Sequence, residues 1–316
     1  MKASKRRLIL KKIADTANSW KIAKSLGSAI GYFIRVFDRL DDNERNLELL
    51  AAFVLRQRYE SIAKKQSYRS EINKYEVKCY SQNGEDGVLL YVFSTVGVTN
   101  RCFVEFGVGD GRECNTANLV LNFGWNGLMI DSEERNVSAA RYYYQKMLGP
   151  ESANIKVVQC LVTMENINKV LLDSGIKGEI DLLSIDIDGN DYWVWKAITA
   201  IDPRVVVIEY NASLGFEKSI TVKYNSNFDR FEAHPSGFYH GASLAALTKL
   251  ANYKGYVLVG CESNGVNAFF VRKDVAREKL TEVSVQKAYF PDFRRLKTLS
   301  TFQQFECIKR LDFDYV

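Results

Sequence analysis

Residues 101–120 read RCFVEFGVGDGRECNTANLV, and this stretch decides the fold of the chain. A short apolar run leads to the carboxylate of Glu105, a turn follows through Gly107, Gly109 and Gly111, and a helix-compatible segment comes next. The pattern predicts a strand, a glycine turn and a helix. Glycines allow backbone angles that other residues avoid, and they let a ligand approach the main chain closely. We therefore predict that the turn binds a small molecule.

The spacing of the glycines indicates which ligand fits. A dinucleotide-binding turn needs a further glycine three places after its second one, where the helix packs on the strand, and here Arg112 stands at that place. A second acid, Asp131, ends the next apolar run roughly twenty residues beyond the turn, where a carboxylate can accept both ribose hydroxyls. A ligand with a ribose and an amino-acid end, but without a pyrophosphate, fits this pattern better. S-adenosylmethionine has both parts.

Four motifs, in this order, resemble those of the class I S-adenosylmethionine-dependent methyltransferases: VEFGVGDG, LMIDSE, DLLSIDIDGND and VVVIEYN. Within that class the chain is similar to the FkbM-type group, which methylates hydroxyls on sugars and natural products. The similarity covers residues 80–272. The chain departs from the group's pattern after the fourth predicted strand, where Ser184, Asp188 and Asp191 stand in place of a Lys and a Glu-Gly-x-Glu motif.

The resemblance implies an activity and a set of binding residues. The activity is methyl transfer from S-adenosylmethionine to a hydroxyl of a sugar, a glycan or a related small acceptor. The residues implied to bind the cofactor are Gln82, Glu105, Gly107, Gly109, Gly111, Asp131 and Asp186. Asp186, Glu209 and Asn211 also match the places where some related O-methyltransferases hold a divalent metal, and their oxygens suit Mg²⁺. The alternative is that these groups cap the strand ends or bind substrate hydroxyls.

A histidine and an aspartate are the candidates for the catalytic base. A sugar hydroxyl is very weakly acidic, so its methylation needs a base or a metal. The sequence contains two histidines, His234 and His240, and both follow the fifth predicted strand, in the segment expected to cover the site. Histidine titrates near neutral pH and can accept a hydroxyl proton. We predict His240 as the base, with Asp188 as the other candidate, although a lone histidine in a loop is more often a surface residue.

Apolar runs alternating with helical segments predict the architecture. Residues 180–187 and 204–209 are nearly continuous apolar runs, as in parallel strands covered on both faces. Residues 256–261 and 268–271 are joined by a turn-rich link, which is typical of a hairpin. The predicted fold class is α/β, a Rossmann-like, doubly wound and mostly parallel sheet with a C-terminal antiparallel hairpin and an N-terminal helical extension. The predicted divisions are the extension (1–78), the methyltransferase domain (79–273) and a C-terminal cap or tail (274–316).

Composition and charge limit the classes of partner. The chain has 316 residues, a mild net charge of +5 and six cysteines without a C-x-x-C pair. These features argue against a nucleic-acid-binding protein, a zinc site and a disulfide framework. No apolar run has the length of a signal peptide or a membrane span, so the expected location is the cytoplasm. Residues 2–24 are basic with apolar residues at helical spacing, which fits either a solvated helix or a peripheral contact with an anionic membrane.

The same sequence bears on several other functions. Nucleic-acid methyltransferases carry either an Asn or Asp with two prolines and an aromatic residue, or a Pro-Cys pair, where this chain has DIDG. Residues 274–316 mix basic and aromatic side chains, which fits base stacking or, as we expect, a small packed cap. Arg112 disfavours an NAD-binding oxidoreductase. A non-catalytic scaffold with a methyltransferase-like fold remains the alternative to an enzyme.

Overall fold

The computed structural model describes residues 72–316 of the chain. Its helices and strands are, in chain order, α1 (Glu85–Val96), β1 (Cys102–Phe106), α2 (Ala117–Phe123), β2 (Asn126–Asp131), α3 (Glu134–Leu148), β3 (Ile155–Gln159), α4 (Ile167–Asp173), β4 (Gly178–Ile185), α5 (Asp191–Ala197), β5 (Ile201–Glu209), β6 (Ile220–Val222), α6 (Arg230–Ala233), α7 (Leu244–Lys254), β7 (Tyr256–Cys261), β8 (Asn267–Arg272), α8 (Lys273–Ala276), α9 (Val285–Ala288), α10 (Thr301–Ile308) and β9 (Phe313–Tyr315). Short 3₁₀ helices lie at Ile72–Tyr75, Gly149–Asn154, Ala212–Leu214 and Arg295–Lys297. The basic segment 2–24, with its predicted membrane contact, and nearly all of the predicted extension 1–78 lie outside the described residues. Between residues 72 and 316, none of the helices combines the length and the apolar character that crossing a membrane requires.

The described residues contain a seven-stranded sheet with the strand order β3-β2-β1-β4-β5-β8-β7. Strands β1 to β5 pair in parallel, whereas β8 is antiparallel to both β5 and β7. The prediction of a doubly wound, mostly parallel sheet that ends in an antiparallel hairpin is therefore confirmed. The strand bounds differ from the apolar runs by a few residues, because β4 and β5 begin earlier, at Gly178 and Ile201.

The centre of the sheet is buried on both faces. From Ile180 to its end, every residue of β4 is buried, in accordance with its continuous apolar sequence. On one face, Trp195 of α5 packs against Tyr256 and Phe270, with ring centroids 5.9 and 5.3 Å apart. Truncating such a core side chain to alanine typically costs about 3–5 kcal/mol. This packing fixes α5 against the sheet, and with it the loop that connects the end of β4 to Asp191.

The C-terminal residues pack against the sheet domain. Strand β9 pairs antiparallel with β6, and the side chain of Ile308 on α10 is buried with Leu214 and Ile220. Phe305 and Phe313 pack against the same cluster. The aromatic residues of this segment thus contribute to a small second core.

Candidate functional site

A cavity of about 440 Å³ lies at the carboxyl ends of β1, β2 and β4. Its volume is in the range of small-molecule sites, and its position at the strand ends is where ligands bind in open α/β sheets. The predicted cofactor-binding residues that line it are Gln82, Glu105, Gly107, Gly109, Asp131 and Asp186. Gly111 is not among the lining residues.

The three glycines of the turn serve different purposes. A Cβ on Gly107 would lie 1.6 Å from the carbonyl oxygen of Asp186, so this glycine lets the end of β1 approach the end of β4. A Cβ on Gly109 would meet no atom within 4 Å, and the backbone there is open to the cavity. A Cβ on Gly111 would lie 2.9 Å from the ring of Tyr144 on α3. Gly111 is therefore a packing residue for a helix rather than part of the cavity wall.

Glu105 joins the end of β1 to the start of α2. Its carboxylate accepts hydrogen bonds from the backbone N–H groups of Asn115 (2.8 Å) and Thr116 (3.0 Å) and from the hydroxyl of Ser184 (3.2 Å) on β4. Burial raises its pKa, and the hydrogen bonds partly oppose this effect because they favour the charged form. The side chain thus holds the glycine turn in shape while it borders the cavity.

Asp131 lies on the other side of the turn, at the end of β2. Its Oδ2 accepts the N–H of Gly109 at 2.8 Å, and its Oδ1 accepts the N–H of Glu133 at 2.9 Å and the side-chain amide of Asn136 at 3.0 Å. A carboxylate has about four acceptor sites, so one remains on Oδ2. Asp131 can therefore accept one further hydrogen bond from a ligand, fewer than the two ribose hydroxyls that the sequence suggested.

Three carboxyl groups meet beside the turn. Oxygens of Asp186, Asp191 and Glu209 lie within 4.8 Å of one another. Burial, followed by the charges of neighbouring carboxylates, raises the pKa of Asp186 and of Glu209 well above the usual range and that of Asp191 to about 6. Asp191 accepts the N–H groups of Ile187 (2.9 Å) and Gly189 (3.0 Å), and so fixes the loop after β4. The carboxyl group of Asp186, in contrast, forms no hydrogen bond within residues 72–316, and the residue lines the cavity.

Asp188 stands at the mouth of the cavity. It adopts a left-handed backbone conformation (φ 56°), its side chain is exposed, and it forms an ion pair with the guanidinium of Arg230. The carboxylate lines the cavity together with Phe228, whose ring packs against Gly189. This placement allows contact with an acceptor that enters from solvent.

His240 lies behind the carboxyl cluster and not in the cavity wall. It is fully buried, and its Nε2 is 2.9 Å from Nη2 of Arg295. Because a guanidinium only donates, Nε2 must accept, and the neutral ring carries its proton on Nδ1, which faces Oε2 of Glu209 at 3.6 Å. Burial, and then the charges of Arg230 and Arg295, lower the pKa of the ring well below its usual value. Arg295 occupies the lone pair of Nε2, and Nδ1 carries the proton without a hydrogen-bond partner among residues 72–316, so the geometry gives no support to the predicted role of His240 as the base.

Asn211 does not join the carboxyl cluster either. Its Oδ1 accepts the N–H of Ser213 and Nη1 of Arg295, both at 3.0 Å, and its Nδ2 donates to backbone carbonyls of Phe238 and His240. With all its polar atoms engaged, the side chain has no oxygen to offer a metal. Asp191 takes the third place beside Asp186 and Glu209.

The cavity includes residues that the sequence analysis did not identify. Some directly follow the ends of β2 and β3, a position that could have identified them, namely Ser132, Glu133, Cys160, Leu161 and Val162. Asn190 and Asn267 also line it. Both are buried, and each has a side-chain oxygen without a hydrogen-bond partner in the described part of the chain. No sequence signal pointed to Asn267, which the sequence placed in the turn-rich link and the structure places at the start of β8.

Residues 74–263 match a family model described as "Methyltransferase FkbM domain". Curated proteins gave no match. Similar solved structures include the magnesium protoporphyrin IX methyltransferase ChlM from Synechocystis PCC 6803 with bound SAM (13% identity, 60% of this chain, 77% of that chain, TM-score 0.39) and the glycopeptide N-methyltransferase MtfA complexed with SAM (12%, 61%, 95%, 0.39). Another is the CcbJ methyltransferase from Streptomyces caelestis (15%, 57%, 87%, 0.37). Since these TM-scores are below 0.5, the fold assignment depends on the strand order and directions given above.

Proposed function

This chain belongs to the FkbM methyltransferase family, and we propose that it is an S-adenosylmethionine-dependent O-methyltransferase whose acceptor is a hydroxyl of a sugar, a glycan or a related small molecule. The observation that carries this proposal is the environment of the Asp186 carboxyl group. Asp186 lines the cavity beside the glycine turn, and its carboxyl group has a raised pKa and no hydrogen-bond partner among the described residues. Such a group suits the removal of a proton from a hydroxyl.

The cavity has the features that the cofactor requires. Gly109 leaves its backbone open, and Asp131 beside it retains an acceptor site for a ribose hydroxyl. When bound, S-adenosylmethionine supplies a methyl group activated on a sulfonium centre. No hydride transfer is involved, and the family match favours this cofactor over a nicotinamide dinucleotide.

The charge of the cavity restricts the acceptor. Its acidic lining residues are Glu105, Glu113, Asp131, Glu133, Asp186 and Asp188, and no Lys or Arg is found among the described residues that line it. A cleft lined by one sign of charge concentrates ligands of the opposite sign and repels those of the same sign. A cationic cofactor fits such a cleft, whereas a phosphate or carboxylate on the acceptor next to the reacting group does not. A neutral, hydroxylated acceptor meets this requirement.

In the proposed reaction Asp186 acts as the general base. The hydroxyl oxygen of the acceptor forms a bond to the methyl carbon as the sulfur–carbon bond breaks, and the hydroxyl proton passes to the carboxylate of Asp186. A raised pKa makes a carboxylate a stronger base than usual, so burial of Asp186 favours this transfer. Asp188, held by Arg230 at the mouth, positions the acceptor. Positioning supplies a large part of the rate enhancement in such displacements.

Glu209 favours a second arrangement, in which a divalent cation takes part. Its Oε2 is buried without a hydrogen-bond partner in residues 72–316, beside the oxygens of Asp186 and Asp191. Such a set of carboxylates fits Mg²⁺, which prefers oxygen ligands. His240 does not fit as a further ligand, because Arg295 occupies its Nε2 and so fixes the proton on Nδ1. In this arrangement Asp186, Asp191 and Glu209 would hold the cation, and Asp188 would accept the proton.

Methyl transfer from labelled S-adenosylmethionine to a panel of neutral oligosaccharides, with and without chelator, tests the proposal. We expect the label in methyl ether linkages on the oligosaccharide, and we expect the chelator to leave its incorporation unchanged. Asp186→Asn should lower turnover by about 100-fold or more, the usual contribution of a general base. Asp188→Asn should have a much smaller effect, because asparagine keeps an oxygen that can accept a hydrogen bond from the acceptor and so still positions it.

The opposite results separate the alternatives. Loss of activity on chelation, together with a large effect of Asp188→Asn, would favour the cation arrangement. Label on amino groups alone, or full activity of Asp186→Asn, would reject the proposal.

A further inference from the structure

Asn267 lines the cavity and has a buried side-chain oxygen without a hydrogen-bond partner among the described residues. It is the first residue of β8, opposite Glu209 of β5, and only 3% of its surface is exposed. Its Nδ2 donates to Oε1 of Glu85 at 2.8 Å. The residue lines the cavity, and its Oδ1 is buried without a hydrogen-bond partner within residues 72–316. Buried polar atoms in proteins are almost always paired, so an exception next to a cavity points to a ligand.

Glu85 fixes the orientation of the Asn267 amide. It is fully buried, and the partners of its carboxylate are all N–H donors: the backbone of Asn83 at 2.8 Å, the side-chain amide of Asn83 at 3.3 Å and that of Asn267. An ionised carboxylate only accepts hydrogen bonds, so the amide nitrogen must face Glu85. The amide oxygen therefore lies on the side away from Glu85 and has a free acceptor site for a hydrogen bond from a ligand.

The surroundings of Asn267 are acidic. Glu262, also fully buried, accepts the backbone N–H groups of Val266 (2.6 Å) and Asn267 (3.3 Å). Burial, and then the charge of Glu85, raise its pKa to about 7, and a cation bound beside it would lower this pKa again. Two acidic side chains thus flank the amide from behind. A donor that carries a positive charge is stabilised in such a place more than a neutral hydroxyl.

The strand order places Asn267 away from the nucleoside end of the cavity. Asp131 belongs to β2, on one side of β1, whereas Asn267 belongs to β8, beyond β4 and β5 on the other side. The amino-acid end of S-adenosylmethionine carries an ammonium group that is separated from the ribose by the sulfonium and a short chain. We propose that Asn267, oriented by Glu85, binds this ammonium group. The inference rests on the cofactor part of the proposed function and is independent of the acceptor.

Calorimetric titration with two nucleosides that cannot donate a methyl group tests the inference. S-adenosylhomocysteine has the amino-acid end, and 5′-methylthioadenosine has the same nucleoside and sulfur without it. Leucine is close to asparagine in size. Asn267→Leu should weaken the binding of S-adenosylhomocysteine roughly tenfold or more, as expected for the loss of a hydrogen bond to a charged group, and should leave the affinity for methylthioadenosine unchanged. The matched control is Asn136→Leu, which removes a hydrogen bond to Asp131 at the nucleoside end of the cavity and should weaken the binding of both nucleosides alike.

A second variant tests the role of charge. Glu85→Gln keeps an oxygen that can accept the Asn267 amide but removes the negative charge, and we expect a smaller loss that is again confined to S-adenosylhomocysteine. Equal losses for both nucleosides in Asn267→Leu would show a structural role and overturn the inference, as would no loss for either. If the wild-type protein bound neither nucleoside, the cofactor assignment itself would fail, and the inference with it.

Discussion

At His240 a single neighbour decides what a side chain can do. The sequence places this histidine in the segment that follows β5, next to aromatic residues and glycines, and this context suggested a base. Arg295, 55 positions further along the chain, donates to its Nε2 and so removes the lone pair that a base would need. No local pattern indicates such a contact. The carboxylates of Asp186 and Asp188 were predictable because they follow directly on an apolar strand, and both line the cavity.

The lowered pKa of His240 also predicts how the free energy of unfolding depends on pH. Its pKa in the folded protein is far below 6.5, whereas in the unfolded chain it is about 6.5. Below that pH the unfolded state binds a proton that the folded state does not. The free energy of unfolding therefore falls as the pH decreases, by up to about 1.4 kcal/mol per pH unit, and the contribution of His240 is complete above pH 6.5. His240→Gln should abolish this contribution.

Urea unfolding of the wild type and His240→Gln between pH 8 and pH 5 measures the effect. Asp191, with a pKa of about 6 in the folded protein, acts in the opposite direction, since its raised pKa makes the folded state bind more protons. This term is present in both proteins, so it cancels in their difference. The wild type should lose more stability than the variant below pH 6.5, and parallel curves would contradict the buried, neutral histidine.

The turn between β1 and α2 shows how far an element can be predicted. The strand, the turn and the helix follow from Glu105, the glycines and the apolar runs, and the position of the turn at the cavity follows from the parallel sheet. The separate roles of the glycines do not follow, because they depend on what each Cα faces. Gly111 faces Tyr144 and Ala140 of α3, although the sequence gives it the same spacing as the two glycines of the cavity.

Gly107→Ala and Gly109→Ala form a matched pair at this turn. Both backbones have positive φ angles, 75° and 56°, so alanine costs about 1–2 kcal/mol at either place. At Gly107 the new Cβ would also overlap the carbonyl oxygen of Asp186, 1.6 Å away, which forces the ends of β1 and β4 apart. We expect Gly107→Ala to lose at least about 3 kcal/mol in urea unfolding, in the range of severe substitutions, and Gly109→Ala much less. Equal losses would contradict the close approach of the two strands.

In the molecule as a whole, the sheet brings distant residues together and the C-terminal segment supports them. The meeting of Glu105, Asp131 and Asp186 was predictable because parallel strands end at one edge. The small sheet of β6 and β9 was not, since each strand has three residues and carries no clear alternation. Nor was Arg295, which is one of several basic residues in a mixed segment. Side-chain contacts across the fold, rather than periodicity, determine these features.

The contacts of Arg295 predict that the C-terminal segment stabilises the site. Its guanidinium donates to Oδ1 of Asn211 (3.0 Å), Oγ of Ser213 (2.9 Å) and Nε2 of His240 (2.9 Å), and it pairs with Asp292 (3.0 Å). Arg295→Met would leave these buried acceptors without a donor, at a cost of about 1–3 kcal/mol, and a melting temperature falls by roughly 2–4 °C per kcal/mol in domains of comparable size. Arg294→Met, at the exposed neighbouring position, is the control and should melt with the wild type. If the two variants melted alike, the C-terminal segment would cover the site without stabilising it. If only Arg295→Met lost stability, residues on both sides of the predicted division at 273/274 would unfold as one cooperative unit, because buried donors on one side satisfy acceptors on the other.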